Sequence, residues 1–129
     1  MVAEGFSIAV IGYRGFGWDA KGKVLKLTTP RTFSSASWDD FIEPANYIKE
    51  KFCGERKVVA LAISMGGIVL TGSMPKLDFL SAAVILCTPL EPNKSRLEMA
   101  DFYKRLLGNK LIGMWEDNAE MLTPEYKRV

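Results

Sequence analysis

What the chain lacks narrows its chemistry first. None of its 129 residues is histidine. No imidazole from these residues can therefore act as general base, and the usual serine or cysteine mechanism is incomplete within them. Only two cysteines occur, Cys53 and Cys87. Cys87 falls in an apolar run and Cys53 at an expected helix end, a placement that favours two reduced thiols, with Cys87 an inert core thiol, over a disulfide. With no Cys/His cluster there is no zinc or haem case, and no cofactor is expected. No apolar run approaches the length that spans a bilayer, so no transmembrane segment is expected. An excess of one charge is missing too: 17 Lys and Arg stand against 15 Asp and Glu. The basic residues are dispersed, which leaves no footprint for nucleic acid or a membrane surface. Residues 1–5 carry no basic segment, which argues against a secretory signal and favours an intracellular protein.

What is present suits one domain of ordinary size with apolar residues enough for a core. Its organising stretch is Lys57-Val58-Val59-Ala60-Leu61-Ala62-Ile63-Ser64-Met65-Gly66-Gly67-Ile68. An apolar, partly β-branched run ends at a serine, and a glycine pair follows one residue later. The run predicts a buried strand, and the glycines permit a sharp turn and a close helix–strand approach. A serine at such a corner projects its hydroxyl above the sheet edge beside the N–H groups of the next helix. That is the mechanical content of a nucleophile elbow, G-x-S-x-G, here Ala62-Ile63-Ser64-Met65-Gly66 with a small alanine in first place.

On either side of this stretch the pattern alternates. Residues 6–13 predict a strand leading into the glycine-bearing loop Arg14-Gly15-Phe16-Gly17, and residues 18–36 predict a long loop. A helix is expected over 38–52, started by Ser37 in capping-box spacing with Asp40. Its face comprises Trp38, Phe41, Ile42, Ala45, Ile48 and Phe52, Pro44 is an awkward member, and Gly54 is the stop. After the strand at 57–63 come a helix at 65–73 and a third strand at 80–87, ending at Thr88-Pro89. A last helix is expected over 95–107, with Ser95 and Glu98 as capping box, and Leu97, Ala100, Tyr103, Leu106 and Leu107 on its buried side. Gly108-Asn109 would end it, with one more turn near 112–115. Three short apolar strands alternating with helices define an α/β chain with a parallel sheet buried on both faces, β-α-β-α-β-α.

With these elements in place, the motifs resemble one branch of the α/β-hydrolases. Tyr13-Arg14-Gly15-Phe16-Gly17, Thr28-Thr29-Pro30-Arg31-Thr32, the elbow Ser64-Met65-Gly66-Gly67, and Leu80-Ser81-Ala82-Ala83-Val84 occur in the family's order over roughly residues 5–107. Together they look like lipid- and ester-acting hydrolases, often membrane-anchored in eukaryotes, and their bacterial relatives. The resemblance implies a partial α/β-hydrolase fold in which the three strands stand for the family's fourth, fifth and sixth. It implies Ser64 as nucleophile, the Met65 N–H as one oxyanion donor, and an ester or lipid acyl substrate. The strand that supplies half the oxyanion hole would then lie before Met1, and the triad's acid and histidine after Val129. Members often carry His beside Arg in the first motif; here the residue is Tyr13. In the family's sheet order the third strand separates the fourth from the fifth. The first two strands here must therefore pair directly or receive a strand from elsewhere, since unpaired buried backbone is costly. The chain is accordingly expected to be a fragment of a longer product or to live bound to a protein partner that completes the sheet.

Each candidate has a plainer reading. Ser64 would otherwise cap the following helix. A lysine base would have to be buried, and the apolar runs contain none. Glu91 is a conceivable triad acid but reads more simply as a solvated loop carboxylate. Asp39 and Asp40 suit the positive end of a helix dipole. Arg14 fits a structural pairing with a carboxylate better than substrate binding, and Trp38, Phe102 and Trp115 fit packing. A phosphate site at the Gly-Gly turn is a distant third reading, because no lysine follows the glycines. Two functions follow: a serine ester hydrolase segment completed from outside, or an inactive hydrolase-like module kept as a binding or structural subunit.

Overall fold

A computed structural model describes residues 4–122, which divide into two compact units. The first joins residues 4–12 to 34–90 and holds the sheet; the second joins 13–33 to 91–122.

The first unit is a β-α-β turn of chain with one further helix against it. Strand β1 (Val58–Ile63) pairs in parallel with β2 (Leu80–Leu86), and helix α2 (Met65–Ser73) makes the crossover. The register slips by one residue between Val58 and Val59, after which Leu61 lies beside Val84 and Ile63 beside Leu86. A 3-10 turn, Met74–Lys76, brings the chain back toward β2. Helix α1 (Asp39–Ile48) precedes β1 and loosens into a π-helical turn at Lys49–Cys53. Its start differs from expectation. The N-cap is Trp38, with no side-chain cap bond from Ser37, and the helix runs through Pro44. Asp39, in its first turn, forms an exposed ion pair with Lys76 at 3.6 Å, of the kind that contributes little to stability.

The core of this unit is small. Ile42 and Ala45 of α1 meet Leu70 of α2 and Leu77, with Phe41, Ala60, Ala62, Leu80 and Ala83 packed around them. Alternation along β1 sends Ala60 and Ala62 inward and leaves Val59, Leu61 and Ile63 outward at 55%, 50% and 60% exposure. The register places Ala82, Val84 and Leu86 on the same outward face. Burial on both faces, expected for a parallel sheet, is therefore not met: the helices cover one face only. Phe52, expected on the buried side of α1, is exposed as well.

The first of the three expected strands, over residues 6–13, is not formed, and the sheet among the described residues has two strands. Phe6, Ile8 and Val10 are exposed, and only Ile11 reaches the core. The apolar run is strand-like in composition, but a strand gains its ladder bonds from a neighbour, and residues 6–13 do not pair directly with β1. The architecture shown is α/β with a two-stranded parallel sheet.

In the second unit, Trp18 and Val24 form an antiparallel bridge around a turn in which Asp19 Oδ1 accepts the N–H groups of Lys21 and Lys23. The expected single helix over 95–107 is two helices, α3 (Pro92–Glu98) and α4 (Asp101–Asp117), parted at Met99 and Ala100, which leave helical geometry. Neither Ser95 nor Glu98 caps: the N-cap of α3 is Glu91 and makes no side-chain bond. Gly108 and Asn109 do not end α4, which continues for two more turns. A glycine in a helix costs only about 1 kcal/mol. No residue of α4 is buried, and Leu97, Ala100, Tyr103, Leu106 and Leu107 are all exposed, contrary to the expected buried side. Asn118 closes the unit. Its Oδ1 accepts the Leu27 N–H at 2.6 Å, and its Nδ2 donates to the Met114 carbonyl at 2.7 Å.

No described helix is long and apolar enough to cross a membrane.

Candidate active site

The junction between β1 and α2 is where backbone geometry departs most from the ordinary. Ser64 has φ 54° and ψ −126°. Among the described non-glycine residues only Cys87, with φ 52°, shares a positive φ. For a residue with a Cβ this conformation costs on the order of 1–3 kcal/mol and persists only where the surroundings impose it. The surroundings are visible. The Ser64 N–H donates to the Leu86 carbonyl at 2.9 Å, as an extension of the β1–β2 ladder. Its carbonyl accepts the Gly67 N–H at 3.0 Å and the Thr88 hydroxyl at 2.9 Å.

The backbone of Ser64 is not that of a capping residue. A capping serine has extended backbone and bonds its oxygen to the helix, whereas Ser64 is left-handed and makes no side-chain cap bond. The positive φ of the corner falls on the serine itself. Gly67 serves the close helix–strand approach expected of the glycine pair. A Cβ there would lie 1.9 Å from Thr88 Oγ1 and 2.6 Å from Ile85 Cγ2, so α2 can seat against the end of β2 only without a side chain at this position.

Ser64 and Met65 are exposed. Met65 is the first residue of α2, where a backbone N–H has no acceptor within the helix. The site thus offers an exposed hydroxyl at a strained corner beside an N–H at the positive end of a helix. It has the parts for attack on an electrophilic carbon and for one bond to a developing oxyanion. It has no base.

The remaining candidates are dispersed. Arg14 Nη1 donates to Thr29 Oγ1 at 3.4 Å, a bond that joins two of the motifs read from the sequence. Tyr13 packs on Phe33 with ring centroids 4.1 Å apart, and burial raises the pKa of its phenol. It therefore stays protonated through the neutral range and supplies no base. Glu91 stands exposed at the start of α3. Phe102 packs edge-on against Tyr103 and is exposed, and Trp115 is partly so. Trp38 does pack, with its indole directly over Gly72. Cys53 and Cys87 are free thiols, but Cys87 is exposed and not a core thiol, because β2 ends one residue earlier. Among the described residues no group of three His, Cys, Asp or Glu could hold a metal ion.

Thr88 is the residue that sequence reasoning passed over. Thr88-Pro89 reads as a strand stop, yet the Thr88 hydroxyl bonds the Ser64 carbonyl at 2.9 Å.

Comparison with protein-family models, with curated proteins and with solved structures finds no match to this chain.

Proposed function

We propose that this chain carries the nucleophile of a serine ester hydrolase of the α/β-hydrolase type, acting on carboxylic or lipid acyl esters once a base is delivered from outside these residues. The observation that carries the reading is the left-handed Ser64 with its exposed hydroxyl. A strained serine that caps nothing is hard to explain by packing, and it stands beside an N–H aimed out of a helix. The supplied base takes the Oγ proton as Oγ attacks the acyl carbon. The Met65 N–H and a second donor, also from outside, hold the oxyanion. The base then returns the proton to the departing alcohol, and water releases the acyl group in a mirror-image step.

The bare apolar face of Val59, Leu61, Ile63, Val84 and Leu86 supports a covering protein segment, because parallel sheets are ordinarily buried on both sides. We assign the base and the cover to the same further segment or partner chain.

A second reading is an inactive hydrolase-like module serving as a structural or binding subunit, and the absence of histidine favours it. Ester hydrolysis by the native assembly, with Ser64→Ala as control, separates the two. Turnover of a short-chain ester that is lost in Ser64→Ala and absent from the isolated chain fits the first reading. An assembly that is intact yet inert with and without the substitution fits the second.

A further inference from the structure

We propose that Thr88 is the positioning residue of the elbow, and that its hydroxyl sets the direction of the Met65 N–H; the consequence for catalysis rests on reading Ser64 as the nucleophile. The Ser64 carbonyl and the Met65 N–H belong to one trans peptide unit, so they point in opposite directions and turn together. Thr88 Oγ1 donates to that carbonyl at 2.9 Å. Fixing the oxygen on the side of β2 aims the N–H the other way, out of the start of α2, where an oxyanion would form.

Among the described residues three bonds hold the two peptide groups of Ser64: two run from backbone to backbone, and the third, from Thr88, depends on a side chain and can be tuned by sequence. The chain around Thr88 is shaped to deliver it. Cys87 at φ 52° turns β2 sharply at its end. Pro89 restricts the backbone of the residue before it to the extended region, and the β-branched side chain of threonine has few χ1 states. Gly67 leaves the space that Thr88 Oγ1 occupies. A residue that merely filled space would be replaceable by valine, which has the same shape. A residue that orients the peptide would be replaceable by serine, which keeps the hydroxyl.

The test compares Thr88→Val with Thr88→Ser in the full chain. Two readouts that do not need activity come from nuclear magnetic resonance: the three-bond HN–Hα coupling with the Cβ shift of Ser64, which report its φ, and hydrogen exchange at the Gly67 amide, which shares the Ser64 carbonyl. Thr88→Ser is expected to keep both. Thr88→Val is expected to move Ser64 off its positive φ and to speed Gly67 exchange by about tenfold, the scale of one net hydrogen bond. Where the native assembly labels with a fluorophosphonate, the labelling rate is expected to fall in Thr88→Val and to return in Thr88→Ser. A folded Thr88→Val with wild-type coupling and exchange overturns the proposal, whether or not Ser64 is reactive. Absence of labelling in wild type overturns the hydrolase reading and leaves the resonance result to decide the role of Thr88. If Thr88→Val does not fold, Thr88→Ala against Thr88→Ser makes the same contrast, and equal exchange in those two overturns it.

Discussion

Gly67→Ala is expected to destabilise the sheet-bearing unit by about 2–3 kcal/mol and to undo the elbow, even though alanine is the better helix former by up to about 1 kcal/mol. The added methyl would lie 1.9 Å from Thr88 Oγ1, 2.8 Å from Thr88 Cβ and 2.6 Å from Ile85 Cγ2. None of these atoms is the far end of a flexible chain. Thr88 Cβ moves only with its backbone, and Ile85 is fixed in β2 beside Ala62. Either α2 lifts from β2 or Thr88 rotates away and releases the Ser64 carbonyl. The same change at Gly72 makes a useful contrast. There the clash is with the Trp38 indole, and that side chain is exposed enough to swing aside. A urea titration followed by circular dichroism is expected to show a clear drop in midpoint for Gly67→Ala and a smaller one for Gly72→Ala. Equal midpoints for Gly67→Ala and wild type would mean that the close approach of α2 to β2 is not as described.

Leu70→Ala is expected to have the largest effect on folding. Leu70 is 1% exposed and stands where α1, α2 and Leu77 meet. Removing its side chain loses the transfer free energy of the buried carbons and leaves a cavity that so small a core cannot close, about 2–5 kcal/mol together. Domains hold only about 5–15 kcal/mol in reserve, so the loss removes a large fraction of the stability. The melting transition is expected to fall by 10 °C or more, at roughly 4–8 °C per kcal/mol in a small domain. A wild-type melt for this variant would place the core elsewhere.

Legibility followed the kind of signal. The runs at 57–63 and 80–87 are short, apolar and bounded by charged or turn residues, and β1 and β2 fall within them, one residue shorter at Lys57 and at Cys87. Helix α2 is bounded by Ser64 and Pro75, punctuation that is local and steric, and it lies close to where that punctuation puts it. Residues 6–13 carry the same composition, but pairing depends on a neighbour, and composition says nothing about whether one is there. The helix after Pro92 differs from its expected limits for a related reason. Gly108-Asn109 is a fair stop in isolation, yet α4 runs through it, and the break instead falls at Met99 and Ala100, where no glycine or proline signals it. Capping boxes at Ser37 and Ser95 matched by spacing alone; neither serine begins a helix, so neither side chain has an orphan N–H to meet.

At the site, Ser-Met-Gly-Gly announced a tight corner, while the assignment of the strain to the serine, and not to a glycine, required the backbone angles. The role of Thr88 was hidden more deeply. It depends on a bond spanning 24 positions, and only the pairing of β1 with β2 brings those positions together. The uncovered sheet face was invisible in the sequence for the opposite reason: alternating apolar residues state that a face wants cover, never whether it has it.

The measurement that tests the central claim most directly is covalent labelling by a fluorophosphonate, read by intact mass, on native material and on Ser64→Ala. The probe reacts with an activated serine without presupposing the ester, and intact mass counts the adducts. The account predicts one adduct per chain in the native assembly, none in Ser64→Ala, and none in the isolated chain, which has no histidine to serve as base. Folded native material that takes up no probe, or takes it up equally after Ser64→Ala, would contradict it.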